Sequence, residues 1–252
     1  MCMMSNSTRS AKGHRRNQPA RSFKMFYLAL GVIGILGIGF VLVQSLSKPA
    51  SVSNTGPMPN QAGLNAPVGK TADNYWYKGQ SDAPVKVEIY ADYECPACRT
   101  LELELAQADF DGLYVETGKA QVIFREFPLK TIHKSAQLTA EIARCAGDQN
   151  LFWPIHNALF DSQTQWAQSL GPKTQIMAAV EQAGADRQKI ESCVDAGTYT
   201  DVINTAYDAA LERQLQQTPT VFVDGQQVNF ETDFAKTLMA AVDAKLPANS
   251  SN

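Results

Sequence analysis

Cysteine, histidine and acidic charge are each scarce somewhere in this 252-residue sequence, and each scarcity excludes something. Five cysteines are too few for a disulfide-framework miniprotein. Apart from Cys95-Pro96-Ala97-Cys98 there is no second C-x-x-C, C-x-x-H or H-x-x-H, which argues against a zinc site built from two close ligand pairs. No metal or other cofactor is expected. Sixteen glycines exclude a collagen-like chain, and 44% hydrophobic against 19% charged residues excludes an intrinsically disordered composition. No internal repeat and no heptad is visible, so a monomer is the expectation. Residues 1–24 carry no acid but six bases, Arg9, Lys12, Arg15, Arg16, Arg21 and Lys24. Residues 74–252 reverse this, with 14 basic and 24 acidic side chains, which argues against a nucleic-acid partner.

From Met25 to Ser47 there are 23 residues without a charge, apolar to Val43 apart from glycines. About 20 residues cross a bilayer core as a helix, so residues 25–47 are predicted to form one transmembrane anchor. The basic tail, residues 1–24, lies on its N-terminal side and places that end in the cytoplasm. The expected location is therefore the inner cell membrane, single-pass, with the bulk of the chain periplasmic or extracellular. A cleaved signal peptide is the alternative. Its apolar region is unusually long, however, and Leu46–Ala50 is a poor cleavage site. Asn17-Gln18-Pro19 after Arg15-Arg16 argues against a twin-arginine signal. Residues 48–73, with four prolines and three glycines, read as a flexible linker reaching roughly 30 Å. Residues 74–247 read as the folded domain and 248–252 as a disordered tail. Cys2 falls on the cytoplasmic side, apart from the other four.

Within the domain, Val85–Tyr90 alternates as a strand, and a turn leads straight into Cys95-Pro96-Ala97-Cys98. Residues Arg99–Glu116 read as a helix, with Pro96 suited to its first turn. A second strand follows at Gln121–Phe127. Residues 131–214 then read as a helical block: Ser135–Ala146, Phe152–Phe160, Lys173–Ala183, Arg187–Asp195 and Tyr199–Gln214. Thr218-Pro219, a strand Thr220–Val223, the hairpin signal Asp224-Gly225, a short strand to Phe230 and a helix Glu231–Lys245 close the domain. The outline is β-α-β, a helical block, then β-β-α.

Cys95 and Cys98 stand three residues apart at a helix start, where their sulfurs can meet. At that position free backbone N–H groups and the helix dipole favour a thiolate at Cys95. A thiolate attacks disulfides, and a neighbouring thiol resolves the mixed disulfide. A purely structural bridge here closes too small a loop to stabilise much.

Gly79-Gln80-Ser81-Asp82-Ala83-Pro84-Val85 followed by Tyr90-Ala91-Asp92-Tyr93-Glu94-Cys95-Pro96-Ala97-Cys98 resembles the start of DsbA-like thiol:disulfide oxidoreductases of the thioredoxin superfamily. So does Cys145-Ala146-Gly147-Asp148-Gln149-Asn150-Leu151-Phe152-Trp153, with His156 and Leu159-Phe160. Thr218-Pro219-Thr220-Val221-Phe222-Val223-Asp224-Gly225 looks like that family's cis-proline loop and hairpin. The resemblance covers roughly residues 75–247. It implies an α/β thioredoxin fold with an inserted helical domain, and a cis Thr218-Pro219 bond lying against the cysteine pair.

On this resemblance Cys95 is the attacked or attacking cysteine, Cys98 the resolving one, and Thr218 and Pro219 shape the substrate site. Pro96, Ala97, Tyr93 and Glu94 support it. The implied activity is oxidation of cysteines in substrate proteins, with re-oxidation by a membrane partner such as a quinone-linked oxidase. The rivals are a reductase or isomerase fed by a reductant carrier, and a non-catalytic chaperone or binding module. One residue departs from the family pattern. An acid usually stands six positions before the first cysteine, where this chain has Ile89. The expected substitutes are Glu88 through a local register change, Glu94, or water. Some family members carry a second disulfide, which here implies a Cys145–Cys193 pair; the alternative is two buried, reduced thiols. His133 and His156 are expected to be structural rather than catalytic bases, and Trp76, Trp153 and Trp166 core or rim. Tyr93 is placed to line a substrate groove.

Overall fold

The computed structural model describes residues 64–230 and 232–247. The predicted anchor, the basic tail, Cys2 and the tail after 247 lie outside them. Among the described residues no helix is long and apolar enough to cross a membrane.

One six-stranded sheet organises the domain, in the order β1-β2-β4-β3-β5-β6. Its strands are β1 Val68–Lys70, β2 Trp76–Lys78, β3 Val85–Ala91, β4 Ala120–Glu126, β5 Thr220–Val223 and β6 Gln226–Gln227. β3 and β4 run parallel, while β3 and β5 are antiparallel. Alternation along β3 sends Val85, Val87 and Ile89 into the main core. Tyr90 packs on the other face, edge-on to Phe222 and beside Phe127 and Leu215.

Between β3 and β4 lies α1, Pro96–Gln107. Six helices then separate β4 from β5: α2 Ala136–Gly147, α3 Phe152–Asp161, α4 Gln163–Trp166, α5 Pro172–Gln182, α6 Arg187–Asp195 and α7 Thr200–Glu212. Among the described residues the last helix is α8, Phe234–Asp243. A thioredoxin-like sheet with its helices inserted between the two halves is what the motifs implied. The three tryptophans are core residues: Trp76 stacks on Phe152 at 4.8 Å, and Trp166 is wholly buried.

Four expectations need correction. Residues 64–73, read as the end of the linker, belong to the folded body: Leu64 is buried and β1 pairs with β2. Their small and polar composition hid an edge strand held by backbone bonds rather than by large side chains. The helix expected over 99–116 stops at Gln107, because Asp109 takes a left-handed φ of 53°, and a π-helical turn follows at Asp111–Val115. The strand expected to reach Phe230 is short, β6 spanning Gln226–Gln227 with one further bond from Val228 N to Val221 O, and the last helix starts at Phe234. Its start is fixed by capping: Asp233 accepts from Lys236 N, and Glu104 of α1 accepts from Phe234 N at 2.7 Å. Helix α4 was not anticipated.

Buried Arg144 helps tie the insertion to the sheet. Buried Arg144 of α2 pairs with buried Glu126 at the end of β4 (2.7 Å) and donates to Asn74 O at 2.9 Å. Removing one partner of such a pair strands a buried charge, at a cost of about 3–5 kcal/mol. Within the insertion Cys145 and Cys193 form a disulfide joining α2 to α6, with Cα atoms 5.9 Å apart across a separation of 48 residues. In the chain-entropy model a loop of that length stabilises by about 4 kcal/mol. The double variant Cys145→Ala/Cys193→Ala is expected to lose about that much unfolding free energy in denaturant titration. A loss below about 1 kcal/mol would show that the bridge adds little beyond packing.

Candidate functional site

Cys95 closes the turn that leaves β3 and serves as N-cap of α1, with extended backbone (φ −74°, ψ 121°). Pro96 follows at the first helical position, where its missing N–H costs nothing. The N–H groups of the first turn are therefore left to face the Cys95 sulfur. Cys98, three residues on, lies on the buried side of the helix with no exposed surface, while Cys95 is 7% exposed.

The two sulfurs ionise differently. The Cys98 thiol, hydrogen-bonded to the Cys95 sulfur, is the largest influence on Cys95 and pulls it down. Burial opposes this, but Thr218 and the backbone N–H groups of Ala97 and Cys98 add to the pull, and Cys95 falls to about 6. Burial pushes Cys98 well above the usual thiol range, and the neighbouring Cys95 sulfur and its charge push it further. The arrangement thus offers one stable thiolate beside one reserved thiol.

Thr218 and Pro219 lie against this pair, joined by a cis peptide bond. As a thiol, Cys95 Sγ donates to Thr218 O at 3.3 Å. The Thr218 hydroxyl is buried without another partner and is a further donor available to the thiolate. A groove of about 340 Å³ opens beside them, lined by Ala97, Thr218, Pro219, Gln227, Phe230 and Phe234 among others.

Tyr93 does not line that groove. It is 1% exposed, packed against Phe124 and Phe160, and its hydroxyl meets His156 Nδ1 at 3.1 Å. Sequence proximity to the cysteines suggested exposure, whereas the turn directs this ring into the aromatic core. Neither proposed carboxylate substitute for the missing acid faces the cysteines. The alternation of β3 is unbroken, so Glu88 stays on the opposite sheet face from Ile89, bridging Arg125 and Arg213. Glu94 accepts from Ser135 N at the start of α2. Both histidines hold the turn: His156 through Tyr93, and His133 through Asp92 at 2.7 Å.

Sequence reading missed Asp92 and Gln163. Asp92 is buried and accepts from Glu94 N and Leu129 N as well as His133. Gln163, from α4, is buried and donates to Tyr93 O and Cys95 O. A buried glutamine looks like any exposed one in a polar run, and no local signal marks it. Asp92 precedes the motif within a turn, where an acid is ordinarily a solvated residue.

Because the folded Cys95 value lies below that of an ordinary thiol, ionisation stabilises the reduced fold at high pH. The contribution is complete above the unfolded thiol value, near about 8.5, and is lost as pH falls through about 6. Thiolate absorbance at 240 nm in the reduced protein is expected to titrate near pH 6 and to vanish in Cys95→Ser. The melting temperature of the reduced protein, relative to Cys95→Ala, should fall as pH drops from 8 to 5. A midpoint near that of free cysteine would contradict this electrostatic reading.

The family described as Thioredoxin matches residues 71–244. A Na(+)/H(+) antiporter NhaA 3 of Salinispora tropica is 29% identical over 187 residues, covering 73% of this chain and 27% of that protein. This chain therefore spans about a quarter of the antiporter relatives it matches. A probable disulfide bond formation protein D of Bacillus anthracis is 27% identical over 172 residues, covering 67% of this chain and 76% of that protein. Among solved structures, oxidised BdbD of Bacillus subtilis superposes with a TM-score of 0.60 at 19% identity, over 72% of this chain and 98% of that one. At that identity the likeness is one of fold. With the matched span taking in both cysteines, the Thr218-Pro219 loop and the whole helical insertion, this chain belongs to the thioredoxin family.

Proposed function

We propose that this chain is a membrane-anchored, extracytoplasmic thiol–disulfide oxidoreductase that oxidises cysteine pairs in substrate proteins. The observation that carries this reading is the placement of the two cysteines: Cys95 caps α1 against the cis Thr218-Pro219 bond, which favours its thiolate, while Cys98 is wholly buried on the same helix and pushed well above the usual thiol range.

A substrate thiolate attacks Cys95 Sγ of the oxidised pair. The Cys95–Cys98 bond breaks, a Cys95–substrate disulfide forms, and Cys98 leaves as a thiolate that takes up a proton. The second substrate thiolate then attacks the substrate sulfur of that mixed disulfide. Cys95 departs as a thiolate, and its low value makes it a good leaving group. The substrate gives up two electrons and leaves with a disulfide; the enzyme pair is left reduced. Stabilising the reduced pair through the Cys95 thiolate makes the disulfide a stronger oxidant, which favours this direction over a reductase. Thr218, Pro219 and the groove beside Ala97 receive the substrate segment around its cysteine.

The extracytoplasmic location is supported by the basic residues before the uncharged run 25–47 and by the Cys145–Cys193 disulfide, a bond that persists in oxidising compartments. The chain acts as a monomer on its anchor, and a membrane redox partner, a quinone-linked oxidase, returns the pair to the disulfide. The name of the Bacillus anthracis relative, a probable disulfide bond formation protein, is consistent with oxidation of substrate cysteines.

The Cys95–Cys98 couple, equilibrated with glutathione and quantified by mass, is expected nearer about −120 mV than about −270 mV. Cys98→Ser should accumulate a mixed disulfide at Cys95, and Cys95→Ser none. A potential at the thioredoxin end would turn the reading to a reductase. Disulfide formation left intact in cells that carry Cys95→Ser in place of the unsubstituted protein would make the domain a binding module.

A further inference from the structure

The turn from Asp92 to Cys95 joins β3 to α1 after β3 has ended at Ala91, so its carbonyls have no strand partner. Two of them, on Tyr93 and Cys95, are satisfied by a single side chain. Gln163 Nε2 donates to Tyr93 O at 2.7 Å and to Cys95 O at 2.9 Å. An amide NH2 carries two N–H donors, so both are spent here. Gln163 is 3% exposed and reaches the turn from α4, 68 residues beyond Cys95. The intrahelical bond to the same Cys95 carbonyl, from Arg99 N, is longer at 3.2 Å.

Cys95 is the residue where extended backbone becomes helix. A rotation there swings its sulfur relative to the Ala97 and Cys98 N–H groups that help hold its titration down. The cysteine pair alone does not fix this rotation. Cys95 N is bonded to Asp92 O, which leaves the carbonyl side of the residue to Gln163 and Arg99.

We propose that Gln163 is a positioning residue for disulfide exchange, holding the Tyr93 and Cys95 carbonyls so that the N-cap of α1 presents the first-turn N–H groups to the Cys95 sulfur. This rests on the exchange reading above and deepens it: the helical insertion sets the redox poise of the sheet domain through one buried amide. Gln163 exchanges no proton with either sulfur. Its loss leaves two buried carbonyls without that donor, and the turn shifts to recover partners.

The test uses the full chain and compares Gln163→Met, which keeps the length but not the donors, with the unsubstituted protein. The 240 nm thiolate midpoint should rise from near 6 to about 7, a tenfold loss of thiolate preference. Its equilibrium constant with glutathione should move up to tenfold toward the disulfide, about 30 mV. Gln163→Glu is measured alongside and serves alone should the methionine variant fail to fold. It retains a donor only when protonated, so its exchange rate relative to the unsubstituted protein should recover toward low pH. A folded methionine variant of lower stability but unchanged midpoint and equilibrium constant would overturn the positioning role, as would a glutamate variant whose relative rate ignores pH. Should the unsubstituted protein itself exchange nothing with glutathione, the exchange reading falls first, and the two failures are told apart.

Discussion

The structure turns on one electrostatic requirement: a sulfur that must ionise stands one helical turn from a sulfur that must not. Cys95 meets its half by occupying the N-terminus of α1, where backbone N–H groups lack partners of their own. Cys98 meets the other half by full burial on the same helix. Three residues of helix separate an environment that favours charge from one that resists it. Any displacement of α1 against the sheet or the Thr218-Pro219 loop alters both at once.

Much of the remaining fold braces that helix start. Asp92, Tyr93, Glu94 and Cys95 are each tied to a residue after β4: Asp92 to Leu129 and His133, Glu94 to Ser135, Tyr93 to His156, and the Tyr93 and Cys95 carbonyls to Gln163. The insertion is in turn pinned to the sheet by Arg144–Glu126 and stapled internally by Cys145–Cys193. Glu104 of α1 caps α8, so even the C-terminal helix is registered on the active-site helix. The helical block is thus more than a lid beside the cysteines, because it supplies most of the side-chain bonds of their turn.

Legibility in the sequence followed the locality of the cause. β3, α1 and β5 announced themselves through alternation, a proline at the first turn and a Pro-then-Asp-Gly ending, all effects within a few residues. The cysteine pair was equally plain, and the cis bond and second disulfide came through resemblance rather than through pattern. What failed depended on distant partners. β1 is an edge strand of small and polar residues that only its pairing with β2 reveals. Tyr93 was misplaced because the aromatic pocket that receives it is assembled from β4 and α3. Gln163 gave no sign because its two acceptors are backbone atoms nearly seventy residues earlier. The missing acid at Ile89 was visible at once, but β3 alternation and the Ser135 contact were needed to remove Glu88 and Glu94 as substitutes.

The central claim is that the two cysteines differ in charge because of where α1 begins. Alkylation of the reduced protein with iodoacetamide across pH 4 to 9, with each cysteine located by mass spectrometry, measures this directly. The account predicts modification at Cys95 with a midpoint near pH 6, and Cys98 unmodified throughout that range. Equal rates at the two cysteines, or a Cys95 midpoint near that of a free thiol, would contradict it.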